Sequence, residues 1–260
     1  MRTHQRWFTT LAVATFLLVG VSALPAHAAE QKTVQKLDDA EFDIIPYLWG
    51  AGLDGTIGIG KLQDTGVQAS FSDLVSNLHF AVMGTFKVHK GDWGAIIDAV
   101  YIDLHDTVPT PDQTLDGEVD VALGEQLYTG LITYRFYDAH KTTVDFCWGG
   151  RYTRIDTDLN LTSGAAQGRS ASANVNWWDW LAGVNVVGHP SPRWSLNFYA
   201  DLGGGGSQLT WEGIAGADFA FNKTVSMAFG YRYLAVDYEE NKLLYNVAMA
   251  GPYLGLGFHF

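Results

Sequence analysis

The final stretch of the chain, Leu244–Phe260, constrains it more than any other. It reads LYNVAMAGPYLGLGFHF, and every second residue counted back from the terminal aromatic is bulky and apolar: Phe260, Phe258, Leu256 and Leu254. Between them stand His259, Gly257 and Gly255, all small or polar. A β-strand sends successive side chains to opposite faces, so this strand has one greasy face and one lean one. Chain ends of soluble domains usually fray into water, and an aromatic terminus in mid-strand fits poorly there. It fits the seam of an outer-membrane barrel, where the apolar face meets lipid. Leu254, Leu256, Phe258 and Phe260 are therefore expected to form the signal through which barrel-assembly machinery recognises the chain.

Read for period two, the chain divides into about ten amphipathic strands. Their spans are 42–60, 79–89, 93–104, 118–136, 142–158, 174–187, 193–203, 208–221, 225–238 and 244–260. Trp194, Leu196, Phe198, Ala200 and Leu202 alternate with Ser195, Asn197, Tyr199 and Asp201. Val144, Phe146 and Trp148 alternate with Asp145 and Cys147 in the same way. Between Val119 and Phe136 the apolar parity switches near Gly124-Glu125-Gln126, which predicts a β-bulge there. The joints at 89–92, 137–141, 188–192 and 222–224 are short and carry turn residues, whereas 61–78, 105–117 and 159–173 are longer and polar. Short turns at one end and long loops at the other are the habit of an outer-membrane barrel, with the short end periplasmic. The expected fold is all-β: one closed antiparallel up-and-down transmembrane barrel of about ten strands, within a range of eight to twelve. A soluble β-sandwich would have to leave a contiguous aromatic surface in water. In the loop 61–78, Ser72 or Asp73 is placed to cap one helical turn, which would fold that loop over the barrel mouth.

Residues 1–28 read as a cleaved export leader: Arg2 and Arg6, an apolar run from Leu11 to Leu24, then Ala26-His27-Ala28. The run is shorter than the roughly 20 residues a spanning helix needs. The expected organisation is leader 1–28, a short periplasmic segment 29–41 and a barrel over 42–260. Without Arg2 and Arg6 the chain keeps 14 basic residues against 28 acidic ones. That balance argues against nucleic acid, whose phosphates need a basic face. Cys147 is the single cysteine, so no intramolecular disulfide is available, and it reads as a small packing residue rather than a nucleophile.

If the apolar faces meet lipid, the opposite faces meet inside. On that register the interior charges are Lys87, Asp98, Arg135, Asp145, Arg151, Asp179, Asp201, Glu212, Asp218 and Arg232. Unpaired buried charges are costly, so the mixed signs predict a paired network. A barrel of eight strands is just wide enough to be filled by its own side chains. Ten strands lie near that filled end, and a plugged interior or a very narrow water path is expected.

One constellation is a remote catalytic candidate. Asp103-x-His105 ends the third strand and Asp156-x-Asp158 the fifth. Omptins, ten-stranded outer-membrane proteases, carry an Asp-His and an Asp-Asp pair at the barrel mouth. Here the pairs come in the opposite chain order, and Asp103 and His105 share parity with the lipid-facing Tyr101. General-base activation of water across a cleft would need a bulge to turn them inward. G-x-S-x-G is absent, the histidines lie singly along the sequence, and neither a metal set nor a cofactor is expected.

The stretches PYLWGAGLDGTIGIG (46–60), SFSDLVSNLHFAVMGTFKVHKGDWGAIIDAVYIDL (70–104), GYRYLAVDYEEN (230–241) and GPYLGLGFHF (251–260) resemble a group of uncharacterised proteobacterial outer-membrane β-barrel proteins. The resemblance covers most of the chain after the leader and rests on strands, turns and seam. It implies outer-membrane location and fold, and transfers no catalytic residue. The expectation is a monomeric, non-enzymatic structural or surface-interaction barrel in contact with lipid and lipopolysaccharide. The alternatives are a narrow passive channel and, more remotely, an outer-membrane hydrolase.

Overall fold

The computed structural model describes residues 40–59, 65–72, 77–109, 118–161, 163, 168, 170–240 and 243–260. The leader and most of the segment 29–41 lie outside them. Among the described residues there are twelve strands: β1 (Glu41–Trp49), β2 (Gly52–Ile59), β3 (Thr65–Ala69), β4 (Leu78–Lys90), β5 (Trp93–Pro109), β6 (Glu118–Ala139), β7 (Thr142–Leu161), β8 (Ser170–Ser191), β9 (Trp194–Gly205), β10 (Leu209–Ala220), β11 (Val225–Glu240) and β12 (Leu243–His259). Each barrel strand pairs antiparallel with its neighbours, and β1 closes the cylinder by pairing with both β4 and β12.

β1 and β2 are one stave. They keep a single register against β12, from Asp43↔His259 through Trp49↔Tyr253 to Ile59↔Leu243. Between them the Gly50 amide donates to the Pro252 carbonyl at 2.7 Å. The barrel therefore has ten staves, and β3 is an additional strand hydrogen-bonded to β2. Part of the predicted loop 61–78 is thus a hairpin arm that prolongs the wall. Phe71 and Ser72 begin a helical turn; Asp73 lies outside the described residues.

The hairpins at one end, here the turn end, are tight. Gly91 at φ 63° opens the two-residue turn between Lys90 and Trp93. His140 and Lys141, at φ 53° and 65°, make the turn from β6 to β7. Positive φ at both central positions matches the right-handed twist of the flanking strands. The Asn222 side-chain oxygen accepts from the amides of Thr224 and Val225, an Asx turn that fixes the β10–β11 corner. Several strands run past the ends read from sequence on the opposite, loop end, where β5 reaches Pro109 and β7 reaches Leu161.

The outer face is apolar between two aromatic rings. Toward the turn end, Trp93 lies 5.0 Å from Tyr134 and Trp194 5.0 Å from Phe219. Toward the loop end, Phe80 packs with Tyr101, Tyr128 with Tyr152, Tyr152 with Trp178, and Trp211 with Tyr233. Ile97, Ile132, Leu196, Leu254 and Leu256 fill the band between them and are exposed. From Tyr128 to Phe136 a tilted strand rises about 20 Å along the axis, close to the apolar band of outer-membrane barrels.

The predicted bulge at Gly124-Glu125-Gln126 is absent. β6 keeps unbroken register with β5 from Glu118 to Tyr134, and with β7 from Val119 to Arg135. Its irregularity falls lower, between Arg135 and Tyr137. Leu123, Glu125, Leu127, Thr129, Leu131 and Thr133 therefore share the inner face. The parity changes because the contents of the bore change, and the strand itself runs on regularly.

Candidate functional site

The bore is filled in layers. At its waist lies a belt of charges, each placed by an inward position on its strand. Arg151, on β7, is fully buried. Its guanidinium donates to Thr129 Oγ1 at 3.1 Å, Thr210 Oγ1 at 3.0 Å and Asp201 Oδ2 at 2.8 Å, and also to Glu212 Oε2. Glu212 bridges to the second cation, with its Oε1 2.6 Å from Arg232 Nε. Arg232, on β11, reaches across the bore to Asp98 on β5 at 3.0 Å. It also donates to the Tyr47 oxygen and lies 4.8 Å above the Trp49 ring centroid. Asp98 accepts from Tyr47 at 2.9 Å and from Thr85 at 2.7 Å. Two guanidiniums thus face three carboxylates, and every stave except β8 and β12 contributes a group. Planar, forked guanidiniums suit such multidentate pairing.

Below the belt, toward the turn end, lies a polar cavity of about 120 Å³. Lys87 and Asp218 line it with Asn185, Asn197, Tyr199 and Tyr253, and its roof is Asp98, Glu212 and Arg232. Asn197 donates to Asp218 at 2.9 Å. Nearer the turns, Arg135 pairs with Asp145 at 2.9 Å and His259 with Asp43 at 2.7 Å. Cys147 is fully buried in a small cluster with Leu131 and Leu181, packed away from solvent.

Above the belt the bore is apolar. Val100, Leu127, Ile155, Leu234, Val236, Val247 and Met249 form one core with Trp177, Tyr238 and Tyr245. Trp177 stacks on Tyr238 at 4.1 Å. Its indole N–H donates to Asp179 at 2.9 Å, and Asp179 also accepts from the Ser207 amide at 2.7 Å, which ties the β9–β10 loop down into the barrel. A second cavity, of about 80 Å³, opens toward the loop end between Trp49, Phe71, Met83, Leu123 and Met249. Its polar group is the Glu125 carboxyl, which accepts from Tyr245 at 3.2 Å.

The ten charges singled out from the sequence all stand on the inner face: six in or beside the belt, Lys87 and Asp218 in the polar cavity, Arg135 and Asp145 below it. Sequence reasoning missed their neutral partners Tyr47, Thr85, Thr129 and Thr210, and it missed the apolar upper bore. The signal for the latter was present in Leu234, Val236, Tyr238 and Tyr245, Val247, Met249, which alternate as cleanly as any lipid-facing run.

Asp103, His105, Asp156 and Asp158 are placed differently. β5 has no bulge against β6 at these positions, and Asp103↔Gly124↔Asp156 and His105↔Ala122↔Asp158 are successive rungs on the outward pleat. The four groups stand on the convex wall and do not face one another across a cleft. Asp103 and Asp156 are two strand spacings apart, about 10 Å, and Asp156 is held by Arg154 at 2.7 Å. The bulge that would have to turn Asp103 and His105 inward is absent from the β5–β6 pairing.

No family model matches the chain, and no curated protein matches it. Solved structures do. The outer-membrane protease OmpT from Escherichia coli aligns at a TM-score of 0.53 and 9% identity, covering 88% of this chain and 99% of that one. The fold is that of an outer-membrane β-barrel. Looser likenesses join the translocator domain of the autotransporter NalP from Neisseria meningitidis (TM-score 0.43, 13% identity, 85% and 90% covered) and the attachment invasion locus protein Ail of Yersinia pestis (0.35, 12%, 85% and 98%). At 9% identity the likeness to OmpT is one of fold and carries no activity with it.

Proposed function

We propose that this protein is an integral, monomeric barrel of the bacterial outer membrane, exported by its leader, with a sealed bore and a structural or surface-interaction role at its loop end. The observation that carries the reading is the belt. Arg151 and Arg232 meet carboxylates from distant staves, so side chains span the bore at its waist, and an apolar core lies directly above. Lipid and lipopolysaccharide contact the outer band, and the closed ladder leaves no backbone group unpaired in hydrocarbon. Assembly through Leu254, Leu256, Phe258 and Phe260 belongs to the same proposal. The outward placement of Asp103, His105, Asp156 and Asp158 supports a role without catalysis.

Planar-bilayer recordings of the purified barrel test the seal. Wild-type protein should show no conductance steps above background at either polarity. Regular steps of uniform size would reject the sealed bore in favour of a narrow passive channel, a reading favoured by the polar cavity beneath the belt. In that case Arg151 and Arg232 would line the constriction, and substituting either would change cation-over-anion selectivity.

A further inference from the structure

A single inserted residue decides which way His79 points. β4 and β5 pair Leu78 with Leu104 but Phe80 with Asp103, so His79 is the extra residue of a one-residue bulge. Ala81, Met83 and Thr85 alternate into the bore, and regular pairing would send His79 inward with them. Bulges re-aim side chains, and this one sets His79 on the outer wall beside two residues of β5. His79 Nδ1 lies 3.1 Å from Asp103 Oδ2, and His105 Nε2 lies 3.2 Å from Asp103 Oδ1. The two imidazole rings are 5.0 Å apart, and one donor atom from each of the three residues falls within 4.8 Å of the others.

We propose that His79, Asp103 and His105 form a binding site for a divalent late transition ion of the Zn²⁺ class, on the outer wall just beyond the loop-end aromatic ring. The donor spacing carries the argument. Zn²⁺ holds nitrogen and oxygen ligands at about 2.0–2.2 Å, which makes the edge of its coordination tetrahedron about 3.3 Å. Each histidine already lies at nearly that length from one oxygen of the Asp103 carboxylate, His79 from Oδ2 and His105 from Oδ1, and with a single donor atom from each residue the three lie within 4.8 Å of one another. The donor set selects the ion class: two imidazoles with one carboxylate suit Zn²⁺, Cu²⁺ or Ni²⁺, whereas Ca²⁺ and Mg²⁺ seek oxygen ligands. The rung beside Asp103 on β6 is Gly124, so no side chain crowds that flank. Three protein ligands with an open fourth position describe an exchangeable site rather than a closed structural one.

The test is calorimetric titration of the untagged, refolded barrel in detergent micelles with ZnCl₂, after chelator treatment and dialysis. The expected result is one ion per chain. His79→Ala and His105→Ala should each weaken binding by roughly tenfold or more, since even ligand-orienting partners are worth that much. Asp156→Ala should leave binding unchanged, and Ca²⁺ should neither bind there nor compete. Deleting His79 removes the bulge; the deletion variant should retain heat-modifiable migration and lose the ion. Absence of binding by the wild type would overturn the proposal. So would unchanged affinity in either histidine variant, or retained binding in a folded His79 deletion.

Discussion

The two halves of the bore are closed by different physics. Toward the turn end and the waist, the closure is a set of named pairs: Arg151 with Asp201 and Glu212, Arg232 with Glu212 and Asp98. Toward the loop end it is a packed core of Leu234, Val236, Val247, Met249 and the stacked Trp177–Tyr238 pair. A charge buried without its partner is heavily penalised, so the belt is intolerant of single losses. A hydrophobic core depends on volume and lets neighbours relax partway into a gap. The belt therefore fixes geometry, whereas the upper core supplies generic burial.

The largest expected effect follows from that difference. Arg151→Ala would leave Asp201 without its cation and Glu212 with Arg232 alone in a water-poor layer, and breaking a buried pair in this way costs about 3–5 kcal/mol. Urea unfolding of the barrel in lipid vesicles should show the loss as a lowered midpoint. Arg151→Lys should recover only part of it, because a point charge cannot reach Thr129, Thr210, Asp201 and Glu212 together. A full-strength Arg151→Ala barrel would mean that water already reaches the belt, and the contrast between the halves would fail.

In the upper half, Leu234→Ala is expected to cost about 2–5 kcal/mol, reaching below the cost of Arg151→Ala where the core collapses into the gap. Leu234 has no exposed surface and lies directly above the belt. The two substitutions should also separate in the recordings proposed above. Arg151→Ala removes material at the waist, whereas Leu234→Ala leaves the waist intact and should remain silent. Conductance appearing in Leu234→Ala alone would place the true seal in the apolar half.

How much of this was readable in advance depended on which face was informative. β9 and β10 alternate aromatics and aliphatics with Asn197, Asp201, Glu212 and Asp218, so their inner and outer faces could be told apart by polarity alone. On β11 and β12 the polarity inverts near the loop end, with Asp237, Glu239 and Asn246 on the outer face and Leu234, Val236 and Val247 facing inward, so polarity alone assigns the faces the wrong way round. The same inversion on β6 makes a regular strand read as bulged, because Leu123 is as apolar as the lipid-facing residues of the lower half yet lines the bore. The real bulge at His79 left no mark in the pattern. It is visible only as a register shift between two strands, which a single segment cannot display. The ten-stave closure, by contrast, was legible because short turns and strongly patterned strands fix the neighbours of each strand.

The smallest expected effect sharpens the comparison most. Thr153 is fully buried in the upper half, next in the inward row above Arg151, and its hydroxyl has no hydrogen-bond partner among the described residues. An unpaired buried hydroxyl carries its full desolvation penalty, and replacing it by an apolar group of the same shape is close to neutral or stabilising. Thr153→Val should therefore leave stability unchanged or raise it by up to about 1 kcal/mol. The matched change one rung lower behaves oppositely. Thr129 accepts from Arg151 at 3.1 Å, and Thr129→Val removes a partner from a buried cation, which should lower the urea midpoint. Opposite signs for two identical substitutions would locate the boundary between the charged and apolar layers at the step from Arg151 to Thr153. Equal signs would show that the bore is one medium, and that the belt holds by packing as the upper core does.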